Sequence, residues 1–62
     1  GCLNDYRASL RFGGPLVSIP LGQYLDDCGL PSIPNIPAAP PEKLTKQELR
    51  ELDRRLSDIL DN

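Results

Sequence analysis

Read as apolar and polar positions, the chain is most legible near its C-terminal end. Leu49, Leu52, Leu56 and Ile59 recur at spacings of three, four and three. That places all four on one stripe of a helix with 3.6 residues per turn, and Leu60 widens the stripe. Thr45 precedes the run as an N-cap, and Glu48 follows it by three residues, the signature of a capping box. Leu44 and Leu49 flank the cap as a hydrophobic staple. Glu51 and Arg55 form a favourable i,i+4 pair, whereas Asp58 and Asp61 oppose the helix dipole and are expected to fray the last turn. The pattern predicts one amphipathic α-helix over residues 45–60.

Upstream of the helix the pattern changes. Pro31, Pro34, Pro37 and Pro40 recur every third residue, and a polyproline II helix has three residues per turn. Ile33, Ile36 and Ala39 then share a second stripe. At about 3.1 Å per residue the segment is a spacer of roughly 30–35 Å. An alternative is a docking strip that lays its isoleucine face on a partner.

The first thirty residues carry weaker signals. Residues 6–12 fit a strand or a helix, ended by Gly13-Gly14-Pro15. Residues 16–19 fit a short strand closed by Pro20, and residues 22–28 fit one helical turn ended by Gly29 and Pro31. The expected fold is small and mostly irregular. It has an irregular, extended N-terminal segment (1–30), a proline-rich spacer (31–41) and an amphipathic helix (42–62).

Composition supports an extended molecule over a compact one. The chain has 62 residues, 39% of them hydrophobic, with one Phe and no Trp or Met, against seven prolines and five glycines. Chains this short bury only about 60% of their unfolded surface. They usually need a disulfide, a metal, a lipid or a partner. The net charge of −2 offers no basic stripe for phosphate, so nucleic acid is not an expected partner. No apolar run reaches the ~20 residues of a membrane span, since Ser18 interrupts the longest stretch, residues 15–21. The chain begins at Gly1 without a methionine, as a processed or trimmed product would.

Candidate chemistry is sparse. With no histidine, Ser–His and Cys–His nucleophile pairs are impossible within the chain. Two cysteines without histidine cannot supply a four-ligand zinc site. Asp26-Asp27 reads as a solvated turn, and Gly13-Gly14 as a turn signal rather than a phosphate loop. The expectation is a protein that is not an enzyme, with no cofactor and no metal.

The two cysteines allow three readings. A Cys2–Cys28 disulfide would contribute roughly 3–4 kcal/mol in the chain-entropy model. Alternatively, Gly1-Cys2 is what remains of a bacterial lipobox, with Cys2 as the lipid attachment point. A third reading is an acylated Met-Gly-Cys start, whose motif wants Ser or Thr where Asp5 stands. Lipidation of Cys2 would leave Cys28 for a disulfide between chains.

Residues 25–34 (Leu-Asp-Asp-Cys-Gly-Leu-Pro-Ser-Ile-Pro), followed by a short polar helix, resemble the small outer-membrane lipoprotein subunit of phage spanins. Leu25, Cys28, Pro31 and Pro34 match that family's mid-chain spacing. The resemblance implies a lipoprotein on the periplasmic face of the outer membrane, paired with an inner-membrane coiled-coil subunit in host lysis. It also implies a lipid on Cys2 and a homodimer through Cys28. Cys2, Asn4-Asp5, Ala8-Ser9, Gly14-Pro15 and Pro20-Leu21 are similar in part to the small lipoprotein of type IV secretion channels.

The functional expectation is a non-enzymatic periplasmic lipoprotein that tethers or binds a protein partner. Its binding stripe is Leu49, Leu52, Leu56, Ile59 and Leu60, unless that stripe packs on residues 6–21 of the same chain. The alternatives are a structural brace in a secretion or virion assembly, and a secreted inhibitor stapled by Cys2–Cys28.

Overall fold

The computed structural model describes residues 1–61. Helix α1 is Cys2–Phe12, α2 is Leu21–Asp27 and α3 is Lys46–Leu60. Short 3-10 turns at Pro15–Ser18 and Pro41–Lys43 lie between them, and no strand occurs among the described residues.

Each helix has a local cause. In α1, Leu3, Tyr6 and Leu10 fall at spacings of three and four and turn inward, as one apolar helix face does. Gly13 ends α1: its φ of 79° is backbone that glycine adopts without a Cβ penalty. In α2, Leu21 and Leu25 are one turn apart, and both are buried. Its end is a Schellman motif, with Gly29 at φ 72°. There the Leu30 N–H donates to the Leu25 carbonyl and the Gly29 N–H to the Asp26 carbonyl. In α3 the capping box is present as the sequence predicts. The Glu48 N–H donates to Thr45 Oγ1 at 3.2 Å, and the Thr45 N–H donates to Glu48 Oε1 at 3.0 Å.

These elements close around Tyr6, Leu21, Leu25, Leu52 and Leu56, all at most 2% exposed. Leu3, Leu10, Leu16, Tyr24, Leu30, Ile33, Ile36 and Leu44 pack around them. The two tyrosine rings meet at a tilt of 37°, with centroids 4.9 Å apart. Both hydroxyls donate to backbone carbonyls, Tyr6 to Ile19 at 2.6 Å and Tyr24 to Cys2 at 2.9 Å. Burial, with Tyr24 alongside, pushes the Tyr6 hydroxyl up to about 12.

A polar seam joins α1 to α3. Arg11 grips Asp53 with two hydrogen bonds of 2.9 Å and also donates to Ser57 Oγ. One turn earlier, Arg7 reaches Ser57 and Asp61. Because Arg11 meets Asp53 while Arg7 meets Asp61, the two helices run antiparallel.

The expected extended, mostly irregular fold is therefore incorrect: the chain is a small helical globule, with helices along its length. Its radius of gyration is 10.4 Å, against about 10.5 Å for any folded chain of this length. The expected spacer of roughly 30–35 Å exceeds the longest dimension of the molecule, 26 Å. Residues 31–41 instead form a strap that bends at Pro34-Asn35, where Asn35 has φ 59°. Asparagine tolerates that left-handed backbone better than most residues. Arg55 secures the bend by donating to the carbonyls of Pro34 and Asn35. It is thus drawn away from the predicted Glu51 pair, and Arg54 pairs with Glu51 instead. Burying Ile33 and Ile36 against the core is worth more than leaving a polyproline rod in water. The strand expected at 16–19 is also absent: Pro15 at the first position starts a 3-10 turn there.

Candidate functional site

The disulfide is the first landmark. Cys2 opens α1, Cys28 follows the last residue of α2, and the two are bonded, with Cα atoms 6.4 Å apart. The bond fixes the N-terminal turn of α1 against the C-terminal end of α2. In this covalent state Cys28 is joined to Cys2 of its own chain rather than to a second chain. Neither sulfur carries a free thiol in this state.

Beside the disulfide lies a cleft of about 310 Å³, lined by Leu3, Leu25, Leu30, Pro31, Ser32, Ile33 and Ile59. Each wall has its own origin. Leu3 comes from the first turn of α1 and Leu25 from the buried face of α2. The Schellman turn throws Leu30 back over α2, and the strap adds Pro31 to Ile33. Ile59 enters from the end of α3 and is 45% exposed. Ser32 is the one polar side chain in the lining. Carboxylates stand next in sequence to this lining: Asp26 and Asp27 follow Leu25, and Asp58 precedes Ile59. All three are exposed, and none joins an ion pair among the described residues.

Two other depressions are more polar. The larger, about 360 Å³, is lined by Asn35, Pro37, Thr45, Gln47, Glu48, Glu51, Leu52 and Arg55. Its charged groups already serve the fold. The hydrogen bonds from the Thr45 backbone and hydroxyl hold Glu48 below the usual carboxylate range, and Arg55 holds the strap. The smaller, between Leu10, Leu49, Arg50 and Asp53, follows the seam of α1 and α3. There the hydrogen bond from Arg11 holds Asp53 below its ordinary value, and Asp53 in turn raises Arg11.

The predicted partner-binding stripe divides. Leu52 and Leu56 are inside the core, Leu49 and Leu60 are partly covered, and Ile59 alone opens onto the cleft. Asp26 and Asp27 are exposed at the end of α2, and no metal-holding group of three His, Cys, Asp or Glu occurs among the described residues. No helix among the described residues is long and apolar enough to cross a membrane.

Sequence reasoning missed Leu3, Leu30 and Ile33 as neighbours of Ile59, because the four residues come from separate parts of the chain. It also missed Phe12, which is 84% exposed. The seam did leave a signal: Arg7 and Arg11 are four apart, as are Asp53, Ser57 and Asp61. No family model matches the chain, and no curated protein or solved structure resembles it significantly.

Proposed function

We propose that the chain is a non-enzymatic, disulfide-stapled binding domain that works in an oxidising compartment and docks a protein in the cleft between α1, α2, the strap and α3. The observation that carries this reading is the carbon lining of that cleft beside the Cys2–Cys28 bond. An exposed apolar concavity on so small a protein marks an interaction surface. The disulfide pre-organises it, which reduces the entropy lost on binding. A lining whose one polar group is a serine hydroxyl suits side-chain burial rather than acid–base work. The test is a photo-reactive amino acid in place of Ser32. Exposed to proteins of its own compartment, the oxidised protein should give a discrete cross-linked species that Ile59→Asp removes. If no adduct forms, the docking reading is wrong.

The spacing of Leu25, Cys28, Pro31 and Pro34 supports a second reading, a spanin-type lysis lipoprotein anchored to the outer membrane through Cys2. A thioether and a disulfide are mutually exclusive on one sulfur. In that form Cys28 is released for a bridge to another chain. Intact mass of the native protein separates the two: a diacylglyceryl adduct on Cys2 supports the lipoprotein, and loss of two hydrogens with no adduct supports the stapled domain.

A further inference from the structure

Once the core is complete, two apolar features stand out among the described residues, and they lie at opposite ends of α1. One is the cleft beside Leu3. The other is Phe12, the last residue of the helix and 84% exposed. Phe12 is nine positions beyond Leu3, which is about 14 Å along a helix and half a turn around it. The ring therefore points away from its own cleft and cannot fill it.

The two ends also differ in their free charges: at the Phe12 end Glu48 serves the cap of α3 and Glu51 pairs with Arg54, which leaves two bases. Arg50 sits beside Leu10 and Leu49, at the Phe12 end of α1. Lys46 opens α3 at that end, because α1 and α3 are antiparallel. Both are exposed, and neither joins an ion pair among the described residues. The cleft end carries Asp26, Asp27 and Asp58 instead.

We propose that the cleft of one copy receives Phe12 of a second copy, so that the chain self-associates head to tail. This rests on the reading of the cleft as a protein-docking site and names its occupant. The ring packs against Leu3, Leu30, Ile33 and Ile59, while Arg50 and Lys46 face the carboxylates at the rim. Burying a phenylalanine removes about 150–250 Å² from water, and the opposed charges set the orientation and weaken with salt. The contact is heterologous: the second copy's own cleft stays open, so contacts repeat rather than close. One aromatic anchor is a small interface. It acts chiefly where copies are held at high local concentration.

Sedimentation velocity on the oxidised protein from ~0.05 to ~2 mM, a range suited to a weak contact, tests the proposal. The sedimentation coefficient should rise with concentration and fall back as salt is added. Phe12→Ser (no knob) and Ile59→Asp (no cleft) should each be monomeric with unchanged helix content. Ser32→Arg blocks the cleft from an exposed position and replaces Ile59→Asp in the assay if that variant unfolds. The decisive arm mixes the knob-less and cleft-less variants in equal amounts. Association should return and stop at a 1:1 pair, since each copy keeps one working half. A monomeric wild type over the whole range, or a mixture that stays monomeric or grows beyond two, overturns the proposal. A monomeric wild type that still cross-links another protein through position 32 overturns self-association alone. A cleft that cross-links nothing, its own copies included, removes the docking reading as well.

Discussion

The Tyr6 hydroxyl donates to the Ile19 carbonyl at 2.6 Å across a separation of thirteen residues. The bond satisfies a polar atom in the centre of the core and ties α1 to the turn that launches α2. Tyr6→Phe leaves that carbonyl without its donor, and the expected cost is about 1–2 kcal/mol. Urea denaturation of the two proteins measures it, and equal midpoints would count against the assignment.

The same hydroxyl contributes to the alkaline limit, as does that of Tyr24, whose pKa burial also raises. In the folded state the pKa of Tyr6 is about 12, raised by burial above the ordinary 10. The unfolded chain therefore ionises first. This contribution to stability is complete below pH ~10 and is lost as pH rises towards ~12, at up to about 1.4 kcal/mol per pH unit. Thermal melts between pH 8 and 12 should show the decline in wild type and a shallower one in Tyr6→Phe.

Asp53 works in the opposite direction. Arg11 holds it below the ordinary carboxylate value, so its stabilisation is present above that value. It is lost as pH falls through the depressed one. Arg11 and Asp53 are partly solvated, which limits their contribution and makes it salt-sensitive. Asp53→Asn should lower the melting temperature modestly at low salt and less at high salt, while flattening the acid limb of the stability profile. An unchanged acid limb would show that the seam is electrostatically idle.

The disulfide should matter more than any surface pair. Its loop spans 26 residues, for which the chain-entropy model gives roughly 3–4 kcal/mol. Small domains stand on a total of only about 3–5 kcal/mol from their cores. Reduction, or a Cys2→Ser, Cys28→Ser double change, is expected to leave the chain largely unfolded at 37 °C by circular dichroism. Retention of full helix content after reduction would show that the core suffices alone.

Leu56 and Ile59 share one helical stripe and should behave differently. Leu56 is fully buried and Ile59 is 45% exposed. Leu56→Ala is expected to cost about 2–5 kcal/mol, enough to unfold the domain and erase the near-ultraviolet tyrosine signal. Ile59→Asp should keep that signal and lose the cross-link at position 32. Equal destabilisation by both would place Ile59 in the core rather than at the cleft.

The strap gives a further separation. If residues 31–41 are replaced by Gly and Ser, Ile33 and Ile36 no longer cover the core, and the Arg55 anchor at Pro34 and Asn35 loses its fixed bend. A fall in thermal stability is expected, whereas a spacer outside the core would leave the melt unchanged.

What the sequence determined by itself is local. Thr45 and Glu48 are three residues apart, and a capping box needs nothing else, so the start of α3 is legible without the rest of the chain. The 3-4-3 spacing of Leu49, Leu52, Leu56 and Ile59 likewise sets the apolar face of α3, because helix geometry alone brings those residues together. Which of them meet the core is not local. Leu52 and Leu56 are covered because α1 and α2 bring Tyr6, Leu21 and Leu25 into one apolar core with them. The proline period misled for the same reason. It describes an isolated segment accurately, but Ile33 and Ile36 gain more from burial than a free polyproline rod gains from water. The helices of the first thirty residues were hidden because short segments are marginal alone and hold their shape through the disulfide and the shared core. The cleft is the most remote from sequence: Leu3, Leu25, Leu30, Ile33 and Ile59 become neighbours only when tertiary packing closes the chain on itself.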